Sequence, residues 1–583
     1  MAFQYYIKVI MPLFLPIFMY FVNFVLVFDK IIFVPRRKPT YLCPQVKHLK
    51  LYAMRHKFSY LVGAVFLLCC STSMFTSCLE IDDTIDTAAS GGGTEDNHLP
   101  KLGGAYFEDE DGDNELYMTY NGKVLKGRKV TFTPDEKNET AIITFSGAEV
   151  DLSSMLSGLM SFRITPYSPI PGVRKLTLTD IKLTPMEDGR TYSFEGAHDQ
   201  VDDDPETYDD YRMSFKGTVK EGEMHVDIQC KILGEDLLGT WGLNDVVTGG
   251  SAVTALAGSL IGGGAAFRES NACSSLWIDW STPKEIDLGK LNEVVPPSML
   301  EKLGGLVSAA GGLVNVKGTP NKLIGIMFTD DIASAIGANP ENIIANMLKD
   351  VTGDRNGSMY FSYSYTGDIF NKPSDDQWGG GKEDALSNNI IRYHFDKKIK
   401  NRVYLEINPD FLLSAVGGLM TTSVTSAAAN TLTLSNKATT RAHSKDETLA
   451  IGQRLIDKLK PALEQGIPCD YAIGNDGKIQ INIEGVYLRD VLRILAELGN
   501  DPLAYDEIVK FLKGNPSLSE FAPTIIKLIQ QLPGVLDKDC KYVKLGFKLH
   551  KTAELAPEEP VEPETPENPE PEVPTPDTPE SEG

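Results

Sequence analysis

The sequence predicts a mainly β protein: an antiparallel barrel or sandwich domain, then a larger β-rich domain with helical insertions, then a disordered acidic tail. Three observations support this fold class. Apolar and polar residues alternate from Lys101 to Ile232, strand-like alternation mixes with helical stripes after Trp241, and residues 557–583 are rich in Pro and Glu. Alternation with period two is typical of strands with one wet face, and a tail of this composition cannot bury a core.

We place the first domain at residues 101–236. Its last strand shows the alternation most clearly, with an apolar face that consists of Met224, Val226, Ile228, Cys230 and Ile232. The opposite face carries His225, Asp227, Gln229 and Lys231. Short strands joined by Gly- and Asp-containing turns favour a small barrel or sandwich. On this pattern Cys230 is a buried free thiol or half of a disulfide with Cys273, Cys469 or Cys540.

We place the second domain at residues 237–552 and the disordered tail at residues 553–583. A strand is predicted at residues 358–365, a hairpin at 390–407 and a hairpin turn at 474–477, where the sequence reads Gly-Asn-Asp-Gly. Apolar stripes with helical spacing predict four helices, over residues 447–465, 487–498, 505–512 and 523–532. The second domain therefore combines a sheet with a helical layer.

A five-residue pattern occurs twice, as Leu102-Gly103-Gly104-Ala105-Tyr106 and as Leu237-Leu238-Gly239-Thr240-Trp241. This Gly-x-aromatic pattern resembles the first strand of calycin-like barrels, in which the aromatic ring plugs one end. The runs YNGKVLKGRKVTFTP and YRMSFKGTVKEGEMHVDI are similar to the calycin-like domains of Bacteroidota surface lipoproteins, in the family catalogued as domain of unknown function 4925. The resemblance implies a calycin-like barrel at residues 101–236.

The N-terminal region predicts export and lipid anchoring. Residues 54–77 read as a signal peptide, with basic residues after Met54 and an apolar stretch from Phe58 to Cys70. Phe75-Thr76-Ser77-Cys78 resembles a bacterial lipobox, which implies that Cys78 is acylated. The alternative is an ordinary secretory signal. Residues 1–53 contain an apolar run that could itself span a membrane, and we interpret them as a mis-annotated extension before a start at Met54.

Residues 78–100 then form a flexible, Gly-rich tether. The acidic stretch Glu80–Asp83 resembles the export tags of Bacteroidota surface lipoproteins. We therefore expect the protein to be attached to the outer membrane through its N-terminal lipid and exposed at the cell surface, with a periplasm-facing orientation as the alternative.

The charge excludes one class of partner. The chain has 56 Lys and Arg against 80 Asp and Glu, a formal charge of −24. A nucleic-acid binder needs the opposite sign. Acidic residues can also bind Ca²⁺, and Asp109, Asp111 and Asp113 begin a stretch similar to a calcium loop. The Gly and Glu that such a loop needs at positions six and twelve are replaced by Asn114 and Tyr120, so a solvated acidic turn is favoured.

No pattern of catalytic residues stands out. The chain contains no Gly-x-Ser-x-Gly motif and no pair of histidines at helical ligand spacing. His225, His394 and His550 fall on the polar side of predicted strands and are expected at the surface. We therefore predict no cofactor and, of the alternatives, consider a hydrolase less favoured than a binding protein.

Aromatic residues of the second domain are the candidates for binding, since such rings stack on sugars or line apolar pockets. The candidate residues are Trp277, Trp280, Tyr363, Tyr365 and Trp378. Most of these rings could equally be core residues. The predicted function is a non-catalytic module for a glycan or a small apolar molecule. The alternative is a structural or accessory subunit of an outer-membrane protein complex.

Overall fold

The computed structural model describes residues 101–108, 114–152, 162–201, 207–243, 276–294, 312, 315–327, 345–346, 348–364, 373–381, 390–408, 445–514 and 522–554. Two separate sheets dominate this part of the chain, and each closes on itself through eight strands. The prediction of a mainly β protein is confirmed. For the first domain the structure selects the barrel over the sandwich.

The first barrel region contains eleven consecutive strands, of which nine form the sheet and two form a minor ribbon. They are β1 (Gly104–Phe107), β2 (Glu115–Tyr120), β3 (Lys123–Val124), β4 (Arg128–Pro134), β5 (Thr140–Gly147), β6 (Val150–Asp151), β7 (Arg163–Ile164), β8 (Lys175–Pro185), β9 (Tyr192–Gln200), β10 (Tyr211–Lys220) and β11 (Glu223–Ile232). The barrel order is β1-β4-β5-β8-β9-β10-β11-β2, and β2 closes the ring against β1. Strand β2 is parallel to both neighbours, β1 and β11. The other pairs in the ring are antiparallel, and β6 pairs only with β7.

Aromatic side chains fill the inside of the first barrel. Phe145 packs edge-on against Phe215 with ring centroids 5.4 Å apart, and Phe194 lies 6.3 Å from Phe215. Phe132 adds a fourth ring, 5.8 Å from Phe194. Because every second residue of each strand points inward, these rings come from four different strands. The middle of the first barrel is therefore a packed core.

The second barrel region contains twelve strands spread over a longer stretch, of which ten form the sheet and two form a separate ribbon. They are β12 (Gly239–Leu243), β13 (Leu276–Trp280), β14 (Ile286–Lys290), β15 (Asn315–Gly318), β16 (Leu348–Gly353), β17 (Ser358–Ser364), β18 (Trp378–Gly380), β19 (Ile391–Phe395), β20 (Arg402–Ile407), β21 (Ile467–Ile473), β22 (Lys478–Ile483) and β23 (Val543–Ala553). The barrel order is β12-β16-β17-β19-β20-β21-β22-β23, and β23 pairs back to β12. Every pair in this ring is antiparallel. Strand β13 adds to β23, β18 adds to β17, and β14 pairs with β15.

Helices pack on the second barrel near the positions that the sequence predicts. They are α1 (Leu291–Val294), α2 (Pro320–Met327), α3 (Lys445–Gln465), α4 (Gly485–Asn500), α5 (Pro502–Gly514) and α6 (Ala522–Val535). The four longest match the four predicted helices and exceed them by one to three residues at one or both ends. Leu459 of α3, Val491 of α4 and Leu528 of α6 join the core of the second barrel. No described helix has the length and apolarity needed to cross a bilayer.

The repeated five-residue pattern marks the same structural position in both barrels. Tyr106 in β1 donates its hydroxyl to the carbonyl of Leu102, at 2.6 Å. Trp241 in β12 donates its indole N–H to the carbonyl of Leu237, at 3.1 Å. Each donor lies four residues after its acceptor, in the first strand of its barrel. In both barrels, a buried aromatic ring with one hydrogen-bond donor thus holds the first strand to the segment that precedes it.

Candidate ligand-binding site

A β-bulge interrupts strand β8 and bends it away from its neighbour. Leu178 and Ile181 both face the inside of the barrel although they are three residues apart, because Asp180 is inserted between them with a φ of 59°. The ladder between β8 and β9 accordingly contains only three residue pairs, at residues 183–185 and 192–194. A bulge bends its strand and ends pairing. Along the rest of their lengths, β8 and β9 are therefore not paired with each other, although each remains paired with its other neighbour.

We call the gap between β8 and β9 the side opening. It is lined by Leu178 and Ile181 from β8 and by Gly196 and His198 from β9, and all four residues are half-buried. Gly196 lies directly over Phe215: a Cβ at this position would come within 2.6 Å of the Phe215 ring. The ring of Phe215 is thus the floor of the side opening. Leu178 and Ile181 keep partial exposure at positions where a continuous wall would bury them.

Polar groups collect at one end of the side opening, where β10 begins. Tyr211 is only 3 % exposed, and the centroid of its ring lies 6.1 Å from that of His198. Asp209 accepts a hydrogen bond from Gln200 through one carboxylate oxygen, Oδ2, at 3.0 Å. Among the described residues, neither Tyr211 Oη nor Asp209 Oδ1 has a hydrogen-bond partner, although both atoms are buried. Such groups are rare in folded proteins, and each is a candidate contact for a bound molecule.

The environment keeps Tyr211 protonated. Burial raises the pKa of Tyr211 to about 12, and the negative charges that Cys230 and Asp209 can carry act in the same direction. Burial likewise raises the pKa of the Cys230 thiol to about 11. At neutral pH Tyr211 is therefore a hydroxyl donor, and Cys230 is a protonated thiol. Cys230 is a buried free thiol, which settles the two alternatives left by the sequence.

The five aromatic residues predicted as binding residues do not form one surface in the described part of the chain. Trp280 is half-buried in β13 and packs against the second core, and its amide donates to Asn321 at 2.8 Å. Strands β23, β12 and β16 separate β13 from β17. Tyr363 in β17 and Trp378 in β18 are half-buried neighbours, but Trp378 lies opposite Ser364, and Tyr363 lies opposite Gly379. Because the side-chain direction alternates along a strand, these two rings project from opposite faces.

The remaining predicted site residues lie wholly or partly outside the described residues. The backbone of Trp277 pairs with Gly546 in the β13–β23 ladder. Residues outside the described ranges include Cys78, Tyr365 and the calcium candidates Asp109, Asp111 and Asp113. Within the described ranges, no group of three or more His, Cys, Asp or Glu side chains is placed to hold a metal ion.

A buried ionic cluster joins the two barrels. Glu406 in β20 accepts from Arg392 Nη2 at 2.5 Å and from the amide of Gly172, in the first barrel, at 3.1 Å. Arg392 also donates to the carbonyl of Pro169 and lies 5.1 Å from the ring centroid of Tyr120. Tyr120 in turn donates its hydroxyl to the carbonyl of Asn356, at 2.6 Å. Both barrels therefore contribute to one network, in which Arg392 and Glu406 are buried, and this network helps to hold the barrels together.

The expectation of a surface position for His394 is wrong. His394 is buried, and its ring stacks on that of Tyr404 with centroids 5.0 Å apart. Its Nδ1 lies 3.2 Å from Glu406 Oε1, without the alignment of a hydrogen bond. The face of β19 that alternation predicts to be wet is covered by the loop around Gly172 of the first barrel. Strand alternation alone cannot reveal this second layer of packing.

Comparisons with known proteins give no relative from which a function could be transferred. No protein-family model matches the chain, and neither a curated protein nor a solved structure matches it. The case for a site therefore depends on the residues of this chain alone. Sequence reasoning missed His198, Asp209 and Tyr211, although the three-residue spacing of Leu178 and Ile181 within an alternating strand is a recognisable sign of a bulge.

Proposed function

We propose that this chain is a lipid-anchored protein, exposed at the surface of the outer membrane, that binds a small apolar molecule in the side opening without catalysing a reaction. One observation carries the proposal: the wall of a packed barrel opens beside a buried hydroxyl and a buried carboxylate oxygen that have no partner among the described residues. Apolar lining with a few convergent polar groups is the usual composition of a small-molecule site.

The apolar half of the site comes from Leu178, Ile181 and the floor ring of Phe215. A ligand that covers these side chains removes apolar surface from water, at about 25 cal/mol per Å². The ring of His198 adds a flat surface at the edge of the side opening. These contacts favour a small aliphatic or aromatic body over an extended polar chain.

Binding can be tested on the mature chain that the lipobox implies, residues 78–583 with Cys78→Ser. A thermal-unfolding screen would use small aliphatic and aromatic alcohols, fatty acids, tetrapyrroles, oligosaccharides and Ca²⁺. A ligand at one hundred times its Kd adds about 2.7 kcal/mol to the free energy of unfolding. We expect stabilisation by members of the apolar classes. If no compound of the apolar classes raises the unfolding temperature, the proposed function is contradicted.

A matched pair of variants locates the ligand. Leu178→Glu places a charge in the side opening and should abolish the stabilisation. Ile142→Glu introduces the same charge at an apolar side chain on the outside of the same barrel, which is already 43 % exposed, and should leave the stabilisation intact. If both variants bind as the parent does, the side opening is not the site. An oligosaccharide whose effect disappears in Trp378→Ala would instead support a glycan site on β18.

The anchor is tested separately. Cys78→Ser in the full chain should abolish incorporation of labelled fatty acid and release the protein from the outer-membrane fraction. Cys70→Ser, eight residues earlier in the apolar stretch, is the control and should change neither result. Labelling that persists in Cys78→Ser would contradict the lipobox assignment.

An unliganded protein that co-purifies with an outer-membrane complex would favour the accessory-subunit alternative.

A further inference from the structure

Two buried polar atoms near the start of β10 have complementary hydrogen-bonding needs, since neither has a partner among the described residues. Tyr211 Oη carries a proton to donate, and Asp209 Oδ1 offers lone pairs that can only accept. The other oxygen of Asp209 is already used by Gln200. A buried donor and a buried acceptor left without partners are unfavourable, so a molecule that satisfies both gains more than one that satisfies either alone.

We infer that the side opening selects a small apolar molecule bearing a hydroxyl group, whose oxygen accepts from Tyr211 Oη and whose proton is donated to Asp209 Oδ1. This inference rests on the proposed function, because it names the chemical class that the proposed site takes. The apolar body of such a molecule would lie on Leu178 and Ile181, with its hydroxyl toward β10.

The hydrogen-bond inventory separates hydroxyls from the other common head groups. A carboxylate can accept from Tyr211 but repels Asp209. An ammonium can donate to Asp209 but cannot accept the Tyr211 proton. A hydrocarbon leaves both atoms without partners. A hydroxyl is the smallest group that both donates and accepts, and it bears no charge that would have to be desolvated.

The test uses four compounds that share one ring: cyclohexanol, methylcyclohexane, cyclohexylamine and cyclohexanecarboxylate. Binding to residues 78–583 with Cys78→Ser would be measured by calorimetry for the soluble compounds and by competition for the hydrocarbon. We expect cyclohexanol to bind about tenfold or more tightly than any of the other three, the difference that one or two satisfied hydrogen bonds provide.

Two conservative variants assign this preference to atoms. Tyr211→Phe and Asp209→Asn should each weaken cyclohexanol about five- to tenfold while leaving the affinity for methylcyclohexane unchanged. Tyr211→Phe removes a hydroxyl that has no partner among the described residues, so the unliganded variant should be as stable as the parent. If it is less stable and binds cyclohexanol equally well, the hydroxyl is already satisfied in the free protein, and the inference is wrong.

The outcomes distinguish this inference from the proposed function. If methylcyclohexane binds as well as cyclohexanol, and Leu178→Glu abolishes both, the side opening binds apolar molecules but does not select a hydroxyl. If the four ring compounds fail to bind and no apolar compound of the wider screen stabilises the protein, both the proposed function and the inference are wrong. Tighter binding of cyclohexylamine would replace the hydroxyl by a cation as the selected group.

Discussion

The ion pair between Glu406 and Arg392 predicts how strongly the two barrels depend on each other. Arg392 is only 2 % exposed, and Glu406 receives hydrogen bonds from both barrels. Removing one partner leaves a buried charge uncompensated, which typically costs about 3–5 kcal/mol. Glu406→Gln and Arg392→Met should therefore each lower the free energy of unfolding by about this amount at neutral pH.

The pKa of Glu406 provides an independent magnitude. Burial alone would raise it, but the charge of Arg392 and the neighbouring His394 outweigh burial and lower it from 4.5 to about 2. At about 1.4 kcal/mol per pKa unit, this corresponds to about 3 kcal/mol. Because the folded-state pKa is depressed, the contribution is fully present above about pH 4.5 and is lost as the pH falls toward 2. About 2 kcal/mol of it should be gone at pH 3.

Urea denaturation of the parent and of Glu406→Gln at pH 7 and pH 3 measures this contribution. The difference between the two proteins should shrink by about 2 kcal/mol at the lower pH. The control is Glu149→Gln, which breaks an exposed pair with Arg163, 3.0 Å long, and should cost less than about 1 kcal/mol. An equal difference between parent and Glu406→Gln at both pH values would refute the reasoning. The double variant with Arg392→Met should cost less than the sum of the single variants.

Three further outcomes are expected. Gly172→Ala should lower the free energy of unfolding, measured by urea denaturation, by about 1–3 kcal/mol, because φ is +80° and the new Cβ would come within 2.8 Å of the His394 ring. Gly189→Ala is the control: its φ is +63° but the space around it is open, so this substitution should cost less. Tyr106→Phe and Trp241→Phe each remove the repeated hydrogen bond and should lower the free energy of unfolding, by about 1 kcal/mol for Tyr106→Phe. If Tyr106→Phe leaves the free energy of unfolding unchanged, this bond is dispensable. Peptide mapping after alkylation should find three buried thiols protected in the native protein and labelled in urea, and labelling under native conditions would contradict their burial; they are Cys230, Cys469 and Cys540.

Local patterns were sufficient for much of the fold. Alternation located β10 and β11, and the Gly-Asn-Asp-Gly turn between β21 and β22 was correctly predicted, with Gly477 at a φ of 72°. Apolar stripes located α3 and α4 to within two residues. These features depend on interactions between residues close in sequence, which a single chain displays directly.

Features that depend on distant pairing could not be predicted in this way. The closure of the second barrel needs β12 to meet β23, and no local pattern identifies that partner. The five residues of β19 are all buried, because the first barrel covers the face that alternation predicts to be wet. The candidate site also depends on distant pairing. No local pattern distinguishes Asp209 and Tyr211, and they become candidates only because the β8–β9 ladder ends early.

The positions of the closing strands also imply an order of folding. All strands of the first barrel lie between Gly104 and Ile232, whereas the second barrel cannot close until Val543–Ala553 has been made. A chain that emerges from its N-terminus can complete the first barrel while the second sheet still has open edges, which are prone to pair with other chains. Ile232 and Tyr120 then give the incomplete sheet a folded surface on which to assemble. Truncation before β23 should therefore leave a folded first barrel joined to an aggregation-prone remainder.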